Sequence, residues 1–424
     1  MPPLKSSYTV RAVHCDHRAA DEEVYTALKR ATAPLTRAWD KLEQAGRIAI
    51  KFNQDWPLST VVTHAGQRQQ LVSDSVARAT LRLLRERTNA EIICVDASYH
   101  VMYGVSNSVE ETTTLAHVLR EFDVALVDGT EPPYKTVGVP PTRSRPGGQM
   151  FERYTMIEAA MEADALVSVA KMKNHAYMGV TGCLKNLFGL MPGAPHARPR
   201  HYYHHLVRMP YMLADIGRIF NPALNIVDAL VGQAEMEWGD GEGTAHVVDG
   251  LVVGDHVIAT DACMAYLMGH DPAADWLTPP FHRDRNPLLV ASEAGFGTVD
   301  LNAISYASEL TPQPKDTFYA RQWDSLDTVV TWRRTMAEQA LYYRDHIATL
   351  LDDYAGEYIL LQDGEVRWHA ADGIMRTSRR KLAGSHKNHA MFFKFVDPEE
   401  REQEHFEVYE QVLAHIETLA LSEV

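Results

Sequence analysis

The sequence predicts an α/β protein: mainly parallel sheets with helices on both faces, followed by a helical and hairpin C-terminal appendage. Three observations carry this prediction. Apolar residues at helical spacing repeatedly precede short apolar runs of strand length. Those runs are nearly continuous rather than alternating, as strands buried on both faces are. Beyond about residue 315 the pattern changes to long polar helices, a hairpin-like segment and a charged tail.

In chain order, Val24, Leu28, Leu35, Trp39 and Leu42 recur at helical spacing ahead of a strand at Arg47-Ile-Ala-Ile-Lys51. A helix over Asp74–Arg87 then feeds a strand at Glu91–Asp96, and a helix over Val109–Phe122 feeds one at Val124–Val127. Pro132, Pro133, Pro140, Pro141 and Pro146 break the pattern between Gly129 and Gly148, which reads as loop. The alternation resumes with a helix over Tyr154–Ala163, a strand at Ala165–Ala170, a helix from about Tyr177 to Leu190 and a strand at Leu224–Asp228. A glycine-rich stretch, Gly239 to Gly243, reads as a flexible loop; a strand at Leu251–Val253 and a helix over Ile258–Met268 follow. The hairpin signal spans Tyr358 to Trp368. This divides the chain into an N-terminal α/β part, 1–130, a second α/β part, 131–315, and the appendage, 316–424.

Composition narrows the function. With 56 acidic against 41 basic residues the net charge is -15, which opposes nucleic acid or anionic lipid as a general partner but permits a local basic pocket. No apolar run approaches the roughly 20 residues that span a bilayer, and no signal-like start is visible, so the expectation is a cytoplasmic protein without a membrane partner. Cys15, Cys94, Cys183 and Cys263 are far apart and form no Cys-x-x-Cys, which argues against an iron–sulfur cluster and for reduced thiols. A divalent metal and a homo-oligomer are left open. Nucleotide phosphate loops and the serine hydrolase elbow are missing.

The most informative stretch is Lys171-Met-Lys173-Asn-His175, followed by Thr181 and by Lys185-Asn186. It leaves a strand and enters an expected helix, where open α/β sheets gather ligands and a helix N-terminus offers free N–H donors. Lysine there holds a carboxylate or phosphate, or, once desolvated, serves as base or nucleophile. Taken singly, each of these lysines is as readily explained as a solvated strand-end or helix-face residue. A second cluster, His196, His201, His204 and His205, would put the last three on one helical face, fit for a metal or acid–base work, with surface or packing roles equally open. Aspartates end several strands: Asp55, Asp96, Asp228, and Asp255 with Asp261. Glu235 and Glu237 follow Asp228 and could balance the lysines, although helix caps and structural ion pairs explain any single carboxylate.

From about Arg47 to Pro272 these motifs resemble a widespread prokaryotic family, domain of unknown function 362. The likeness lies at Ile50-Lys51-Phe52-Asn53, at Lys171 to His175, at Thr181 with Lys185 to Gly189, at Ile226-Val-Asp228 and from Gly254-Asp255 to Asp261. Relatives commonly have proline where Phe52 and Ala170 stand and threonine where Asn174 stands. Many relatives carry ferredoxin-like cysteine modules that this chain lacks. In fold the family is similar to the lactate-racemase type, α/β enzymes using lysine and histidines around a nickel cofactor. The resemblance supplies a site without a reaction. The convergence of polar residues at strand ends, in a chain without a redox or nucleotide motif, assigns the roles: Lys173, His175 and Lys185 are expected to be catalytic, and Lys51, Asn53, Lys171, Thr181, Asn186 and His201 to bind substrate. Asp228, His204 and Asp255 are the metal candidates. The expected ligand is an anionic small molecule, and the expected chemistry is isomerase, lyase or cyclase, with a metal or cofactor carrier as the alternative.

Overall fold

A computed structural model describes residues 8–238, 243–384 and 390–422. The expected loop at 239–243 therefore falls, at 239–242, outside the described residues.

One large sheet organises the chain. Its strands lie in the order Ile304–Ser308, Tyr8–His14, Thr244–Gly254, Leu224–Ala234, Ala165–His175, Arg47–Phe52, Glu91–Asp96 and Ala125–Asp128. Only Thr244–Gly254 in this series runs antiparallel to its neighbours, and the short strand Gly179–Thr181 folds back antiparallel on Ala165–His175. Strands from either side of residue 130 belong to this one sheet.

Both faces are covered, as the continuous apolar strands require. Ile48, Ile50, Val167, Val169, Ile226 and Leu251 pack against Val24, Leu28, Trp39, Val76 and Leu84, from the helices Asp21–Thr32, Thr36–Gln44 and Asp74–Arg87. Their strand neighbours Ala49, Ala170, Val227 and Val252 point the other way, toward Met212, Ile216 and Ile258 of the helices Arg208–Phe220 and Val257–Leu267. The switch of face at each successive residue is the two-residue period of a strand.

Several elements depart from the sequence expectations, each for a local reason. The helix expected over Val109–Phe122 is reduced to a 3₁₀ turn, Val109–Glu111, and a short helix, Ala116–Glu121. The hydroxyls of Thr112 and Thr113 donate back to the Val109 carbonyl, and that of Thr114 to the Gln54 carbonyl, which competes with helical bonding. Tyr154–Ala163 is not one helix. Arg153–Ile157 is a strand paired with Tyr134–Gly138, inside the expected loop, and the helix covers only Glu158–Met161. The expected helix over Tyr177–Leu190 is broken by Gly179, at φ +73°, into the strand Gly179–Thr181, the helix Cys183–Asn186 and a 3₁₀ turn, Leu187–Leu190. The strand at Ala165 runs on to His175, and the strand at Leu224 runs on to Ala234.

The appendage has the expected helices and hairpin. Tyr358–Gln362 pairs antiparallel with both Glu365–Ala370 and Phe392–Phe395, and the helices Leu326–Asp345 and Glu407–Ser422 pack together. A buried network ties it to the body. The Arg208 guanidinium donates to both Glu404 oxygens, at 2.7 and 3.1 Å, and to the Phe393 carbonyl at 2.6 Å, while Lys394 Nζ donates to Glu404 at 2.6 Å. No described helix is long and apolar enough to cross a membrane.

Candidate functional site

The carboxyl ends of the parallel strands open into a cavity of about 1290 Å³. Strand Arg47–Phe52 brings Lys51 and, one residue beyond, Asn53; strand Glu91–Asp96 brings Asp96; strand Ala165–His175 brings Lys173 and His175. Thr181, Lys185, Asn186 and Phe188 come from the segment that folds back over that last strand. The Asp261 carboxylate fixes this segment by accepting from the backbone N–H groups of Cys183 and Leu184, both at 2.8 Å. These are first-turn donors that a short helix cannot satisfy internally.

The buried side chains are held by few partners. Lys51 Nζ donates to the Phe52 carbonyl at 2.6 Å and to Asp96 at 3.0 Å, and burial still pushes the Asp96 carboxyl up to about 6 against the pull of Lys51. Lys173 Nζ donates to the carbonyls of Gln70 at 2.8 Å and Glu237 at 2.9 Å. Burial brings this amine down to about 7, because two neutral carbonyls and a more distant Glu237 carboxylate compensate the desolvated charge only in part. His175 Nδ1 accepts from the N–H groups of Tyr177 and Met178, at 3.1 and 3.2 Å, so the ring proton resides on Nε2, 3.4 Å from Glu237 Oε1. Burial and then Lys185 keep His175 well below the usual range, hence neutral. The Asn186 amide donates to the carbonyls of Lys51 and Val169 and to Ser168, locking three segments together.

The remaining sequence candidates separate. Lys171 is fully buried and outside the cavity lining, and its ammonium lies 3.1 Å from Asp228. Asp228 also accepts from Ser73 N–H and Oγ, and is thus a counter-charge within the sheet. Asp255 accepts from Thr9 N–H and Arg37 at the opposite end of the strands. His204 alone of that trio lines the cavity, so Asp228, His204 and Asp255 do not converge on one ion. The three histidines do not share a helical face either, because the helix is only Arg200–Tyr203. All three nevertheless line the cavity: His201 stands there beside Tyr103, its outer side exposed, His204 stands 5.8 Å from His175, ring to ring, and His205 Nε2 lies 3.1 Å from the Met391 carbonyl. Glu235 pairs with Arg321. Among the described residues, three His, Cys, Asp or Glu ligand atoms come within 4.8 Å of one another only at Asp16, His17 and Asp249, outside the cavity lining.

Sequence reasoning missed Gln70, Arg200 and Arg379. Gln70 is 1% exposed, yet neither its amide nitrogen nor its oxygen has a partner among the described residues. The Asn53 and Asn186 oxygens, Thr181 Oγ1 and Trp56 Nε1 are likewise unpartnered along the same wall. Such atoms are rare inside folded proteins, and these lie together along the cavity. The appendage completes the wall with Trp332 and Met336 from one helix and with residues 373–379, while Tyr343 packs into its own core against Phe392 and Phe406.

Over 63% of its length the chain aligns with 58% of the lactate racemase apoprotein from Thermoanaerobacterium thermosaccharolyticum, with a TM-score of 0.33 and 13% identity. A likeness of that size says nothing about activity. A thylakoid-associated protein of Synechocystis sp. is 26% identical over 176 residues, 40% of this chain, so the chain spans about half, 50%, of that curated relative's length. The model of the family described as "Domain of unknown function (DUF362)" matches residues 48–266, more than half of the chain and every strand that lines the cavity, and the protein belongs to that family.

Proposed function

We propose that the cavity binds an anionic small molecule, a carboxylate or phosphate, and moves a proton on it, in isomerase, lyase or cyclase chemistry. The observation that carries this reading is the Lys173 amine, buried among cations, bonded among the described residues only to two carbonyls and brought down to about 7. An amine of that kind is free to take up a proton near neutrality, whereas an exposed lysine holds its own. In this reading Lys173 is the base. The neutral His175, donating from Nε2, is the partner that returns a proton or steadies developing negative charge. Lys51 and Lys185 attract the anionic group, the Thr181 hydroxyl donates to it, and the unpartnered Asn53 and Asn186 oxygens, which can only accept, orient the rest of the molecule through a donor on it.

Incubation with a panel of small carboxylates and phosphate esters in deuterated water, followed by proton NMR, tests the reading. Loss of a carbon-bound proton signal next to the anionic group is expected with the native protein and not with Lys173→Met. Exchange that proceeds equally in the variant refutes the role of Lys173.

A further inference from the structure

Six cationic side chains line the cavity, and three of them are accounted for. Lys51 pairs with Asp96, Lys173 is held by two carbonyls, and Arg283 pairs with Asp324 at 2.7 Å. The other three, Lys185, Arg200 and Arg379, make no ion pair or hydrogen bond among the described residues. Two of them meet at one ring: Lys185 Nζ lies 4.7 Å, and the Arg200 guanidinium 4.6 Å, from the centre of Phe188, with the neutral His204 ring 6.2 Å from it. Burial and then the neighbouring Arg200 push the Lys185 amine well below its usual range, burial also lowers Arg200, and Glu237 and Asp55 oppose this only from beyond ion-pair distance, so a dianion seated between the two is what would restore the Lys185 proton. Arg379 enters the lining from the appendage and, like Arg200, acts on the His201 ring.

The rest of the lining differs sharply from this cluster. Met102, Tyr103, Trp332, Met336, Ile374 and Met375 form an apolar wall that reaches solvent at Tyr103 and Ile374, 37% and 38% exposed. Elsewhere on the lining, and buried, lie the unpartnered amide of Gln70 and the Lys173 amine. A monocarboxylate brings one negative charge to three cations without partners. A phosphate monoester brings nearly two, and its oxygens match the fork of a guanidinium.

We infer that the ligand of this cavity is a phosphate monoester on an apolar body, with the phosphate held by Lys185, Arg200 and Arg379 and the body lying along the methionine and aromatic wall. This rests on the anion-binding reading above and narrows it.

Isothermal titration of the full chain with acetate, malonate, inorganic phosphate and phenyl phosphate tests it. Phosphate is expected to bind at least about tenfold more tightly than acetate or malonate, and phenyl phosphate about tenfold more tightly again. Arg200→Ala and Arg379→Ala should each lose about tenfold or more for phenyl phosphate, with a lysine at either position restoring part of it. If acetate binds as well as phosphate, the doubly charged ligand is wrong while the anion pocket stands. If malonate equals phosphate, the ester is wrong, and if phenyl phosphate is no better than phosphate, the apolar body is wrong. If none of the four binds, this inference and the proposed function fall together. Because these comparisons use the native chain, they remain decisive even if the arginine variants do not fold.

Discussion

Lys171 Nζ lies 3.1 Å from Asp228 Oδ2, and neither side chain reaches solvent. The pair bridges adjacent parallel strands at directly paired positions, two residues before Lys173 enters the cavity. A buried cation without its partner is far costlier than the pair is favourable. Asp228→Asn should therefore destabilise the protein by about 3–5 kcal/mol, and adding Lys171→Met should restore much of the loss, since the pair then gives way to neutral groups. Denaturant unfolding of the three proteins measures this. A single variant as stable as the parent would show that the pair is structurally idle.

The Lys173 amine gives a pH signature with a definite sign. It titrates at about 7 in the folded protein and at about 10.4 when unfolded, so between those values the unfolded chain binds the extra proton and stability rises with pH. Below pH 7 the folded state carries the full cost of the buried charge. Lys173→Met removes that cost, so the melting temperature of the variant relative to the parent should be most favourable near pH 6 and should decline toward pH 9. A difference that is flat or rises with pH would place the amine in water.

Gly189 sits where a side chain would collide with the Lys51–Asp96 pair. A Cβ there would lie 2.3 Å from Lys51 Cε and 3.0 Å from Asp96 Oδ1. Gly189→Ala should cost about 1–3 kcal/mol as the pair shifts. Because the displaced ammonium faces the cavity, ligand binding should weaken at least about tenfold as well. Titration with inorganic phosphate beside a thermal melt separates the two effects. Unchanged binding in a folded variant would remove Lys51 from the anion site.

The strands, and the two-faced covering that positions the cavity, were legible because apolar runs such as Ala165–Ala170 can be read without knowledge of partners. The continuation of that strand through Lys171 to His175 was not legible. Its polar residues are buried by groups remote in sequence: Asp228 for Lys171, the carbonyls of Gln70 and Glu237 for Lys173, and the N–H groups of a turn for His175. Local pattern cannot anticipate such partners. Gln70 lies in an irregular segment with no motif around it, and Arg200 and Arg379 are ordinary arginines until the appendage folds over the strand ends. Conversely, Lys171 looked as accessible as Lys173 because residues two apart on a strand share a face. The register shift between Asp228 and Gln233 in the neighbouring strand is what gives the two lysines different surroundings.

The last prediction concerns how the appendage is held. Burial alone would raise the Glu404 carboxyl, but Arg208 and Lys394 overcome it and bring the group down to about 2. In the unfolded chain a glutamate titrates near 4.3, so the stabilisation is present in full above that value and is lost as pH falls from about 4 to about 2. Glu404→Gln leaves Arg208 and Lys394 buried without their shared carboxylate and should cost about 3–5 kcal/mol at pH 7. The gap between variant and parent should then narrow as the pH is lowered through 4 toward 2, and be clearly smaller at pH 3 than at pH 7, because protonation makes the parent resemble the variant. Urea unfolding at pH 7, 5 and 3 measures the gap. Since Arg379, Trp332 and Met336 reach the cavity only through the appendage, the variant should also bind phenyl phosphate more weakly at pH 7. A constant gap across pH, or undiminished binding in a destabilised variant, would separate the network at Glu404 from the wall of the site.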